Sequence, residues 1–155
     1  MTKQMFPRPV YGERVRVRGG ARTILFSFLM FSVGAWACTP QLPGGKAQTL
    51  DAKKYTLVYR TQPEMVTIGQ HFAVEIALCA KDGAPAPDAV RVDAHMPDHR
   101  HGMNYKTTVT GSGAGKYRAE GLMFHMPGRW EYIFEVRAGG TTGTIERLTT
   151  SVVLQ

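Results

Sequence analysis

Cysteine is scarce in this chain. Its 155 residues hold two, Cys38 and Cys79, and neither sits in a C-x-x-C, so thioredoxin-like chemistry has no basis. The sequence also lacks an H-E-x-x-H pair and a nucleophile elbow, and with them the usual signatures of a metal hydrolase or a serine hydrolase. Asp93 and Asp98 are the carboxylates nearest the histidine-rich stretch, but no motif turns them into an activating pair. The expectation is a protein that is not an enzyme. No window carries an apolar period of 3.6, which removes helical folds. The one strongly apolar run, residues 23–37, is short of the roughly 20 residues that cross a bilayer as a helix.

Basic charge is plentiful but unevenly placed. The formal net charge is +7, from 19 Lys and Arg against 12 Asp and Glu. Lys3, Arg8, Arg14, Arg16, Arg18 and Arg22 all precede residue 23, opposed only by Glu13. The uncharged stretch TILFSFLMFSVGAWA follows, ending in Ala35-Trp36-Ala37. A positive segment, an apolar segment and an A-x-A site make a signal peptide over residues 1–37. Without them 13 basic and 11 acidic residues remain, a net of +2. No basic stripe is left, so nucleic acid is not an expected partner.

Cys38 follows directly, as in bacterial lipoprotein signals, where the cysteine becomes the lipidated N-terminus. Two arrangements are open: Cys38 carries the lipid and Cys79 stays alone, or the two pair as a disulfide. The lipoprotein pattern makes Cys38 the expected lipid anchor. With Thr39 next to it rather than an acidic residue, the expected location is the outer membrane, on the periplasmic face of the envelope. Residues 38–52, rich in Pro and Gly and without periodicity, read as a flexible tether with a span of about 20 Å.

From residue 53 to 155 the pattern is strand after strand. Tyr55–Tyr59 is β-rich; Phe72, Val74, Ile76 and Leu78 alternate with smaller or polar residues, as do Val90, Val92, Ala94 and Met96. Tyr105, Thr107 and Val109 continue the series, then Tyr117–Phe124, then Trp130, Tyr132, Phe134 and Val136, and a Thr/Val-rich strand over 143–154. Loops fall at 81–89, 111–115, 126–128 and 139–140. This spacing predicts an all-β domain, an immunoglobulin-like antiparallel β-sandwich of about seven strands.

The informative residues are histidine and methionine. Residues 95–103 read His-Met-Pro-Asp-His-Arg-His-Gly-Met, and 123–126 read Met-Phe-His-Met. These stretches hold His95, His99, His101 and His125, together with Met96, Met103, Met123 and Met126; only His71 and Met65 of the mature chain stand outside. Thioether sulfur suits Cu(I), imidazole suits copper in both oxidation states, and neither forms a disulfide in an oxidising compartment. His99 and His101, two apart, would share one side of an extended backbone. Met103 and His125 would complete the set, with Met126, His95 and Met96 as further candidates. Met96 also fits as plain core filling, His95 as a surface group or one behind the ligands, and Met126 equally as a turn residue. If Leu122 and Phe124 are buried, His125 faces outward.

The stretches MPDHRHGM (96–103), Gly113-Ala-Gly115-Lys-Tyr117 and GLMFHMPGRWEY (121–132) resemble the YtkA-like domain, a small secreted or membrane-anchored β-sandwich family related in pattern to the FixH-like proteins. The resemblance implies an envelope location, the sandwich fold and, for some members, copper handling around respiratory oxidases. The ligand set is also similar to that of periplasmic His/Met copper chaperones. Their spacing is not met, because His125 and Met126 are adjacent, and their site is not carried over. The expected function is an envelope lipoprotein that buffers or delivers copper to a membrane-bound oxidase or copper-efflux component. The alternative is a non-metal accessory module docking on a membrane complex.

Overall fold

The computed structural model describes residues 38–140 and 143–155. The signal peptide expected over residues 1–37 lies outside them. Nine strands and no α-helix are found among the described residues. They are β1 Gln48–Asp51, β2 Tyr55–Gln62, β3 His71–Ala80, β4 Ala89–Met96, β5 His101–Gly102, β6 Thr108–Gly113, β7 Lys116–Met123, β8 Gly128–Ala138 and β9 Thr144–Leu154. All pairings are antiparallel. One sheet runs β1-β2-β3-β7-β6 and the other β5-β4-β8-β9. With β2, β3, β7 and β6 as strands A, B, E and D, and β4, β8 and β9 as C, F and G, this is the immunoglobulin order. The seven expected strands are all present, and the short β1 and β5 are additions at sheet edges.

Alternation decides which side chains meet between the sheets. Leu57 and Tyr59 from β2, Val74 and Ile76 from β3, Val92 and Met96 from β4, and Trp130, Tyr132, Phe134 and Val136 from β8 are buried. Aromatic rings fill the middle. Phe124 stacks on Trp130 at 4.7 Å between centroids, and Tyr59 tilts against Phe134 at 5.1 Å. Each such pair adds about 0.5–1.5 kcal/mol beyond its buried area. The outer faces carry ion pairs instead. Glu75 accepts from Arg60 and Arg118 on one sheet, and Glu135 accepts from Arg91 and Arg147 on the other.

Three expectations change. The tether over 38–52 is shorter than expected, because Gln48–Asp51 pair with Tyr59–Thr56 of β2. Four residues without apolar alternation can still form an edge strand when a neighbouring strand offers its free backbone groups. Arg60 also donates to the carbonyls of Pro43 and Gly44, which holds the preceding segment against the sheet. At Cys38 the structure takes the other of the two arrangements open in the sequence: Cys38 forms a disulfide with Cys79. A sulfur in a disulfide cannot also carry a lipid thioether. Finally, Tyr105 and Thr107 precede β6, which starts at Thr108 and continues to Gly113. Thr107 donates its hydroxyl to the carbonyl of Val92 in the other sheet, so this stretch bridges the sheets rather than joining one.

Candidate metal centre at one end of the sandwich

Antiparallel pairing gathers the unusual residues. β2, β4, β7 and β9 end, and β3 and β8 begin, at the same end of the sandwich. His71 opens β3, Met96 closes β4, Met123 closes β7, and Met65, His99, Met103, His125 and Met126 lie in the adjoining loops. All five histidines and all five methionines of residues 38–155 are therefore at this end.

The turn between β4 and β5 places His99 and His101. The amides of His99 and Arg100 both donate to the carbonyl of Met96, at 3.2 and 2.9 Å. Arg100 takes a left-handed φ of 56°, a conformation uncommon outside glycine. This breaks the extended backbone expected between His99 and His101. Their rings are instead tilted neighbours, with centroids 5.8 Å apart. Arg129, the second residue of β8, donates to both carboxylate oxygens of Asp98 at 2.7 and 3.2 Å. That hydrogen-bonded guanidinium holds the Asp98 carboxyl below its ordinary value.

His101 meets His125 across the two sequence stretches, with ring centroids 5.2 Å apart. Nδ1 of His101 lies 3.1 Å from the carbonyl of Gly102. In the tautomer that donates there, Nε2 is left with its lone pair, the usual way a backbone carbonyl orients a ligand imidazole. Leu122 and Phe124 are fully buried, but β7 ends at Met123, and the half-buried His125 turns its ring against the buried Trp130 and His101 instead of facing outward as alternation predicts. Nδ1 of His125 is buried without a hydrogen-bond partner. A buried polar nitrogen left unpaired is costly, and a bound ion would satisfy it.

Trp130, expected only as a core anchor, is also the wall of this site. Its indole stands edge-to-face with His125 at 5.2 Å and with His101 at 5.9 Å. Its Nε1–H donates to the carbonyl of Met126 at 3.0 Å, fixing the Met126-Pro127-Gly128 turn. Alternation identified the tryptophan as buried but gave no sign of what stood at its edge. Nor did any spacing signal the Asp98–Arg129 pair, whose partners meet only through the β4–β8 ladder.

The structure does not place the other candidates against these rings. Met103 and Met126 are half-buried and pack against the core, and the amide of Met103 donates to the carbonyl of Ala94. Met96 is 1% exposed and sits inside the core. Its Cε lies where a Cβ on Gly128 would be, at 2.8 Å. His95 projects from the outer face of its sheet, with Nε2 3.5 Å from a carboxylate oxygen of Glu131, away from the inward-facing Met96. Among the described residues no three His, Cys, Asp or Glu side chains are close enough to hold an ion by themselves. The arrangement is thus a His101–His125 ring contact with His99 next to His101, while Met126 adjoins His125 in sequence and Met103 lines a groove with Asp93 and Tyr105.

No curated protein matches the chain in sequence. Among solved structures, a DUF4426 family protein from Pseudomonas aeruginosa PAO1 is similar, with a TM-score of 0.45 and 10% identity over 70% of this chain and 96% of that one. The YtkA-like family model matches residues 48–135, which spans β1 through most of β8 and includes every candidate ligand. The chain belongs to the YtkA-like family.

Proposed function

We propose that this protein binds copper in the cell envelope and buffers it or passes it on, with His101 and His125 as the central ligands. His99, Met103 and Met126 are the flanking donors. The observation that carries this reading is the contact of His101 with His125, where a buried imidazole nitrogen has no hydrogen-bond partner. Two imidazoles with neighbouring thioethers accept copper in either oxidation state and bind Mg²⁺ or Ca²⁺ poorly. Exchange of one ligand at a time then allows transfer to a membrane-bound oxidase or efflux component. The role is one of binding rather than catalysis. The Cys38–Cys79 disulfide supports an exported protein, because such bonds persist in oxidising compartments.

Cu(I) titration against a chromophoric chelator tests this. The parent is expected to compete for one tightly held equivalent. His101→Ala/His125→Ala should lose that equivalent while keeping the parent's unfolding midpoint within a few degrees. Equal affinity in parent and variant would overturn the assignment.

A further inference from the structure

His71 stood apart from the other histidines in sequence, and the fold removes that separation. In the β3–β7 ladder His71 is the direct partner of Met123, and Phe72 of Leu122. Phe72 and Leu122 are buried, so His71 and Met123 both project from the outer face. Direct cross-strand partners have their Cβ atoms about 5 Å apart, close enough for an imidazole and a thioether to reach one ion. Tyr105 closes the third side, its ring edge-on to His71 at 5.0 Å. The loop that carries it lies close over β7 because Gly121 has a φ of 85° and no Cβ; one there would come 3.1 Å from the carbonyl of Lys106. His95 is engaged by Glu131, whereas no carboxylate pairs with His71 among the described residues.

Met123 has a second neighbour. β7 ends at Met123, and Phe124 alone separates it from His125, whose ring lies against Trp130 and His101. Two residues of chain therefore lead from the exposed His71 and its partner Met123 to the half-buried His125.

We propose that His71 and Met123, flanked by Tyr105, form a second and weaker Cu(I) site, adjoining the His101–His125 pair and feeding it from the surface. This inference rests on the copper reading and adds a location where the ion first docks. A His–Met pair with one face open to water captures a soft ion with few ligands, which also lets it leave readily. The half-buried His101–His125 pair offers more donors and holds the ion longer.

Cu(I) titration of the full protein, with the Met methyl resonances followed by NMR, separates the possibilities. The parent should take up two equivalents, the second weaker, with the Met123 methyl shifting during the second. His71→Ala/Met123→Leu should bind one equivalent at parent affinity and fill it more slowly from a Cu(I)–chelator complex. His101→Ala/His125→Ala should retain the weaker equivalent and the Met123 shift. A parent that takes up no Cu(I) refutes the copper reading itself. One equivalent only, lost with His101 and His125 and unchanged in affinity and filling rate by the His71/Met123 changes, refutes the second site alone. A Met123 methyl unmoved through two equivalents refutes it as well. Because His71 is exposed and Met→Leu conserves volume, the unfolding midpoint should stay near the parent's.

Discussion

The guanidinium of Arg129 grips the carboxylate of Asp98 through two bonds, Nη2 to Oδ1 at 2.7 Å and Nε to Oδ2 at 3.2 Å. The pair joins the start of β8 to the turn that carries His99. Both side chains are substantially exposed, so their attraction contributes little to overall stability. Their effect is on where the turn sits relative to His125. Arg129→Ala should weaken Cu(I) binding by about 10-fold, as loss of groups that orient ligands commonly does, with little change in thermal midpoint. Arg129→Lys should fall between, since an ammonium cannot match the carboxylate fork. Competition titration of the three proteins checks the order.

The fate of Cys38 can be read from thiols. The disulfide leaves no free cysteine, so the folded protein should give no reaction with a thiol reagent after denaturation. A lipidated Cys38 would instead leave Cys79 free and give one thiol per chain. The bridge joins residues 41 positions apart, and reduction should lower stability by about 2–4 kcal/mol. Urea denaturation with and without reductant measures this.

Glu135 predicts an acid-sensitive step. Its carboxyl is held below the ordinary value, first by the hydrogen bond from Arg147 and then by the charge of Arg91, against the opposing effect of burial. A carboxyl depressed in the folded state stabilises it above the unfolded value of about 4.5, and that contribution disappears as pH falls through the lower folded value. Glu135→Gln should cost about 1–2 kcal/mol at pH 7, the lower part of the range for charged hydrogen bonds because both arginines are largely solvated. The gap to the parent should close in acid. Chemical denaturation at pH 7, 5 and 3 tests the trend.

Gly128 is fixed by its neighbour. It has a φ of 119°, and an added Cβ would meet the Met96 Cε at 2.8 Å. Gly128→Ala should destabilise by about 1–3 kcal/mol through overpacking and backbone strain. In Met96→Ala the same change should cost less, because the clash is gone and only the strain remains. A double-mutant cycle by urea denaturation reads the difference.

Alternation made most of the fold legible. Trp130, Tyr132, Phe134 and Val136 declared a buried face, and Pro and Gly marked the loops, so seven strands could be placed before the sheets were seen. β1 was missed because an edge strand needs only a neighbour's backbone, which leaves no mark on side chains. Clustering along the chain made His99, His101 and His125 candidates. Their arrangement was not legible, since a left-handed Arg100 turns the chain where alternation assumes it runs straight. His71 was passed over for a related reason: its partner Met123 is near only through the β3–β7 register, and a single sequence does not state register between distant strands.

The cystine and the imidazoles occupy opposite ends of the molecule. Cys79 is eight residues along β3 from His71, about 26 Å at strand spacing. Electron transfer through protein falls off exponentially with distance. An ion at the histidine end is therefore electronically insulated from the sulfurs at the other, and cuprous copper held there does not reduce the bridge that fixes the N-terminal segment. Electron exchange with an ion bound at the histidine end would leave the cystine at the other end untouched.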